Sequence, residues 1–323
     1  MPGNKRSVGF FRDFRLYTGG HGKVFDYFQH VLAHPSFAPR IHFTGRSVRD
    51  ASNPWKESAA HEDAFWRPER YDVLFLAGLD WQHVAREQDS PSRPVLNLIQ
   101  HVRHGDSGDE RYAFLSRPAI RVCVSDAVAE AIIASGRVNG PIHVIPAAVS
   151  LPELSARTDT IGDNSTRVFI AGQKSPMLAH GLAERLRELP GLHVQVSTDW
   201  LAREDFLDRV RSADIAVTLP HEREGFYLPA LEAMQLGTAV VVPDCLGNRG
   251  YVRNGENCLV PALAVESLSQ AVISLQHDHE LRVRLINAGR ITAARHNLAA
   301  ERAAFHAILD RLDSEWMQCR HAT

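Results

Sequence analysis

Short apolar runs alternate with amphipathic stretches along most of the chain, and this predicts parallel strands joined by helices. In the first half, 7–11, 41–44, 72–77, 95–99, 121–124 and 142–146 read as strands. Val24, Tyr27, Phe28, Val31 and Leu32 fall on one face of a helix that starts after the glycine-bearing stretch 19–23. A second helix runs through 126–134, with Ser125 or Asp126 as its cap. The stretch 45–68 has no period and reads as a loop, either a mobile one or one packed on the surface. Residues 150–166, rich in Ser, Thr, Asp, Pro and Gly, read as a linker. Beyond it, 167–171, 193–197, 214–220 and 238–242 are strands, and 177–189, 204–211, 266–275 and 281–294 are helices. A last helix, about 298–317, carries Ala303, Phe305, Ile308, Leu309 and Leu312 on its apolar side. The fold class is therefore α/β, with two parallel-sheet domains at 1–149 and 167–298.

Composition changes this picture little. A length of 323 residues suits two domains, and 44% hydrophobic residues suffice for two cores. The net charge of −2 advertises no nucleic-acid partner. Only four of the 36 basic residues are lysines, so the place of each is informative. Cys123, Cys245, Cys258 and Cys319 show no metal-ligand spacing and read as reduced thiols, which suits a cytoplasmic protein. No signal peptide and no run of about 20 apolar residues is present, which leaves peripheral contact with the inner face of a membrane open.

The chemistry concentrates after the strand 214–220. Glu224 and Glu232 stand with seven residues between them. They could share one exposed helix face, but Gly225 and Pro229 argue against it, since Pro is tolerated only in a first turn. Glu224 then lies on a loop and Glu232 one turn into a helix that Gly237 ends. Free N–H groups and the dipole make that helix start a phosphate site. A carboxylate beside it accepts hydrogen bonds from sugar hydroxyls.

Other turns carry weaker signals. Gly19-Gly20-His21-Gly22-Lys23 reads as a glycine-rich turn suited to a phosphate or an acceptor, or simply as a tight turn. It is not a Walker loop, because Val24 follows the lysine where Ser or Thr is needed. His101 and His104 follow the strand 95–99, and either is equally explained as a structural histidine. Without a third ligand the pair makes a poor zinc site. Arg103 between them suits phosphate or a negatively charged acceptor.

The run EGFYLPALEAMQLGTAVVVPD resembles the E-x7-E signature of retaining glycosyltransferases with the GT-B fold, the family 4-like or group 1 type. The resemblance is sharp over 214–261 and general before 166. It implies two Rossmann-like domains facing a central cleft, with a C-terminal helix at about 299–323 completing the first. It implies that Glu224 contacts the donor sugar and Glu232 the ribose, and that Gly225, Phe226, Tyr227 and Leu228 lie near the sugar and diphosphate. His101, with His104 as alternate, would sit by the reacting sugar. Gly19, Gly20 and Lys23 would form the acceptor-side loop. Gly172 and Lys174 occupy the turn that clamps the donor diphosphate. There Gln173 stands where the family has Arg, and Ala147-Ala148 replace an Asn-Gly turn.

The implied reaction moves a sugar from a nucleotide-sugar co-substrate to a glycan, lipid-linked or small-molecule acceptor. No D-x-D occurs in the sequence, so neither a metal nor a cofactor is expected. The alternatives are a non-catalytic sugar- or nucleotide-binding partner with this fold and a nucleotide-sugar epimerase.

Overall fold

The computed structural model describes residues 5–149, 151 and 165–319. Its backbone divides into two units, Met1–Ala147 with Leu298–Thr323, and Ala148–Asn297. Nearly all of the linker expected at 150–166 lies outside the described residues.

Unit 1 contains β1 (Arg6–Arg12), α1 (Gly19–Leu32), β2 (Phe37–Phe43), β3 (Val73–Ala77), β4 (Val95–Ile99), β5 (Ile120–Cys123), α2 (Asp126–Ala134) and β6 (Ile142–Val144). The strands form one parallel sheet in the order β2-β1-β3-β4-β5-β6. β3 and β4 are buried at every position, as expected of strands covered on both faces. Phe10 stacks on Phe75 at 4.6 Å between ring centres and meets Phe28 edge-on. β2 starts four residues before the expected strand because it lies at the sheet edge, where Pro39 costs no ladder bond. α1 also starts early, at Gly19. Thr18 caps it, its hydroxyl accepting from the His21 amide at 3.3 Å, so the glycine-bearing stretch is a first helical turn rather than a loop. The stretch 45–68 is packed: Trp55 is buried, its ring against Phe14, Phe25 and Phe43.

Unit 2 contains β7 (Thr166–Ala171), α3 (Pro176–Arg187), β8 (Leu192–Ser197), α4 (Arg203–Ser212), β9 (Ile215–Thr218), α5 (Leu228–Leu236), β10 (Ala239–Val241), α6 (Val265–His277) and α7 (His279–Arg295). Its parallel sheet has the order β10-β9-β7-β8. The strands alternate faces. Val168, Ile170, Ile215 and Val217 pack with Leu182, Leu186, Leu268 and Val272 from α3 and α6. Phe169, Ala216 and Val240 pack with Val210, Leu231 and Met234 from α4 and α5.

The chain then returns to unit 1 as α8 (Leu298–Asp310) and α9 (Leu312–Trp316). The single helix expected at 298–317 breaks at Arg311, which leaves helical geometry with φ −110° and ψ 15°. The break turns Leu312 and Trp316 inward, and the Trp316 indole donates to the Pro91 carbonyl at 2.6 Å. Phe305 meets Tyr27 edge-on at 4.8 Å. Among the described residues no helix is long and apolar enough to cross a membrane.

Candidate functional site

In unit 2, β7 ends in the turn Gly172-Gln173-Lys174-Ser175. The Gly172 amide donates to the Ser197 carbonyl at 2.8 Å, and its carbonyl accepts from the Ser175 amide at 2.9 Å. A Cβ on Gly172 would lie 2.1 Å from the Ala179 Cβ, so glycine is what lets α3 approach the strand. This turn aims Lys174 at the loop after β9. The lysine ammonium donates to Glu224 Oε1 and sits 5.4 Å from the centre of the Tyr227 ring. The His221 amide donates to the same carboxylate oxygen at 3.2 Å.

The loop 221–227 is held from the side. The Leu246 amide donates to the Glu222 carbonyl, and the Tyr227 amide to the Gly247 carbonyl, both at 3.0 Å. The Tyr251 hydroxyl donates to the Tyr227 carbonyl, and Phe226 stacks on Tyr251 with ring centres 5.4 Å apart. A Cβ on Gly247 would come within 2.9 Å of both the Glu224 Cβ and the Phe226 amide nitrogen. Burial pushes the Tyr227 phenol well above its ordinary pKa. Of the amides expected near the donor sugar and diphosphate, that of Tyr227 is hydrogen-bonded to Gly247.

Pro229 sits in the first turn of α5, and Gly237 ends the helix in the left-handed conformation with φ +77°. Leu228 is the first residue of α5 and Glu232 lies in its second turn. Glu232 is buried, and Arg203 Nη1 lies 2.5 Å from its Oε1. Sequence reasoning missed Arg203. The signal was an arginine in a first helical turn, a place that suits acids.

Unit 2 therefore brings together Gly172, Lys174, Glu224, Gly225, Phe226, Tyr227, Leu228 and Glu232. The remaining predicted residues are in unit 1. Gln100, after β4, donates to the Gly20 carbonyl at 3.3 Å and so joins the start of α1 to the segment that carries the histidines. Gly19 and Gly20 are the first two residues of α1. His101 Nδ1 accepts from the Arg103 amide at 3.0 Å, while Arg103 itself is exposed. His104 faces the interior, where burial drives its pKa down to about 3. Lys23 departs from its expected role at an acceptor loop. It is buried, and its ammonium lies 2.8 Å from Asp26 and 2.7 Å from Glu301. Burial pulls its pKa down, and the two carboxylates more than offset this. Among the described residues no group of three or more His, Cys, Asp or Glu side chains is arranged to hold a metal ion, and in the His277–Glu280 run Asp278 caps α7 while His279 meets Arg282.

Residues 136–292 match the family model "Glycosyl transferases group 1". A relative from Campylobacter jejuni, N,N'-diacetylbacillosaminyl-diphospho-undecaprenol alpha-1,3-N-acetylgalactosaminyltransferase, is 35% identical over 85 residues, which is 26% of this chain and 22% of the relative's length. Among solved structures, Anabaena Alr3699/HepE in complex with UDP and glucose has a TM-score of 0.72 at 14% identity, covering 94% of this chain and 99% of that one. Sucrose-phosphate synthase from Thermosynechococcus elongatus has a TM-score of 0.70 at 14% identity, covering 96% of this chain and 100% of the other. With its two parallel sheets and these structural neighbours the chain has the GT-B fold, and its residues 136–292 are similar to the glycosyl transferases group 1.

Proposed function

We propose that the chain transfers a sugar from a nucleotide-sugar donor to an acceptor hydroxyl with retention of anomeric configuration and without a metal. The observation that carries this reading is the convergence of Lys174, Glu224 and Glu232 around the start of α5. The donor diphosphate would take the cation and the free N–H groups of the helix start. Glu224 would hold sugar hydroxyls and Glu232 the ribose. As the bond from the anomeric carbon to the diphosphate oxygen breaks, these fixed dipoles and Lys174 stabilise the departing charge. The acceptor oxygen then bonds to the anomeric carbon, and its proton passes to the leaving diphosphate. His101 would position the reacting sugar. The Campylobacter relative's name makes lipid-diphosphate-linked sugars the first acceptors to test.

The test is a thermal-shift panel of UDP, GDP, TDP and ADP, with and without Mg²⁺, on the wild type and Glu232→Ala. One diphosphate should raise the melting temperature without metal, and Glu232→Ala should abolish the rise. UDP comes first, because Alr3699/HepE holds it. No shift with any nucleotide would remove the donor reading and favour the non-catalytic partner with this fold, binding sugar alone. A product assay separates transfer from epimerisation, which is kept open because a putative UDP-N-acetylglucosamine 2-epimerase from Listeria monocytogenes matches with a TM-score of 0.63.

A further inference from the structure

We infer that Arg203 is a positioning residue for Glu232, and through it for the ribose of the donor; this rests on the donor reading above. Arg203 opens α4, where the helix dipole disfavours a cation. Its neighbours Glu204 and Asp205 have the sign that this end prefers. What offsets the misplaced charge is tertiary: Arg203 Nη1 lies 2.5 Å from Glu232 Oε1. The Glu232 side chain is 4% exposed and that of Arg203 22%. A carboxylate at that depth must be paired, and a buried pair holds its geometry only when the hydrogen bonding is good.

Guanidinium is planar and directional, whereas an ammonium is a rotating point charge. Through its contact with Oε1, Arg203 therefore orients the Glu232 carboxylate as well as neutralising it. A ribose presents two neighbouring hydroxyls at a set spacing, so it reads the orientation of its acceptor. On this account Arg203 sets how much of the binding free energy comes from the ribose hydroxyls, without touching them.

The experiment is calorimetric titration with uridine, adenosine and guanosine diphosphates and with their 2′,3′-dideoxy forms. The quantity read is the affinity ratio of ribo to dideoxy form. In the wild type the ribo form should bind roughly 10- to 100-fold tighter, the worth of hydrogen bonds to a charged acceptor. Arg203→Gln should bring the ratio close to that of Glu232→Ala, with no further fall in the double variant. Arg203→Lys should restore part of it. If Arg203 only supports the fold, both affinities fall together and the ratio keeps its wild-type value, which overturns the inference. Should Arg203→Gln not fold, Arg203→Lys carries the test alone: a reduced ratio supports the inference and an unchanged one overturns it. If the wild type binds no diphosphate, or does not discriminate the two forms, the donor reading itself fails and the inference goes with it.

Discussion

Lys174 hydrogen-bonds to Glu224, fifty positions further along the chain, so the turn after β7 and the loop after β9 are joined by one ion pair. The lysine side chain is 42% exposed, and such a pair contributes about 0–1 kcal/mol to stability. Lys174→Ala should therefore leave the melting temperature nearly unchanged. It should lower kcat/KM for the nucleotide-sugar by roughly 10- to 100-fold through the lost charge on the diphosphate. In a double-mutant cycle with Glu224→Gln the losses should not add. Steady-state kinetics on the four proteins checks both statements.

Gly247 lets one loop lie against another. Gly247→Ala would push a methyl group toward the Glu224 Cβ and the Phe226 amide, each 2.9 Å away. Overpacking of this kind costs about 1–3 kcal/mol. Because the nearest atoms belong to the Glu224 loop, activity should fall further than stability does. Comparing kcat/KM with the denaturation midpoint tests this.

In unit 1, Glu301 accepts from Lys23 at 2.7 and 2.9 Å, and His30 Nε2 lies 2.9 Å from its Oε1. Glu301→Ala would take one of two carboxylates, the other being Asp26, from the buried Lys23 ammonium. Breaking such a pair costs about 3–5 kcal/mol. Urea unfolding should show a loss of that size. Glu301→Gln, which keeps a hydrogen-bond acceptor, should lose less.

His104 sets an acid limit. Its pKa falls from an ordinary 6.5 to about 3, with burial as the chief cause, and burial lowers that of His21 to about 4. The folded chain holds both rings neutral while the unfolded chain protonates them. Their stabilisation is complete above pH 6.5 and is lost as pH falls toward 3 and 4 respectively. Within that window each ring costs up to about 1.4 kcal/mol per pH unit. Denaturation midpoints between pH 7 and 5 should drop, and His104→Leu should flatten the slope.

What was legible in the sequence is what local chemistry encodes. The apolar runs located the central strands β3, β4, β5 and β9 closely, because parallel strands buried on both faces need little context. Glu224 and Glu232 could be placed because Gly225, Pro229 and Gly237 punctuate that stretch on their own. Lys174 was legible from its glycine turn, although its partner was not. Arg203 was invisible because its reason for being there is Glu232, on another helix. Lys23 was misread for the same kind of reason: a lysine after glycines suggests a ligand, while the carboxylate that binds it stands 278 residues away. Pro39 hid the start of β2, since only the finished sheet shows that strand to be an edge.

That separation between Lys23 and Glu301 has a consequence during synthesis. Unit 1 is discontinuous, and all of Ala148–Asn297 is translated before α8 exists. At about 5–20 residues per second this is a delay on the order of ten seconds. Through it the nascent first unit carries Lys23, His30 and Tyr27 without Glu301 and Phe305 to cover them. Unit 2, contiguous in sequence, can close first, and α8 and α9 then complete unit 1.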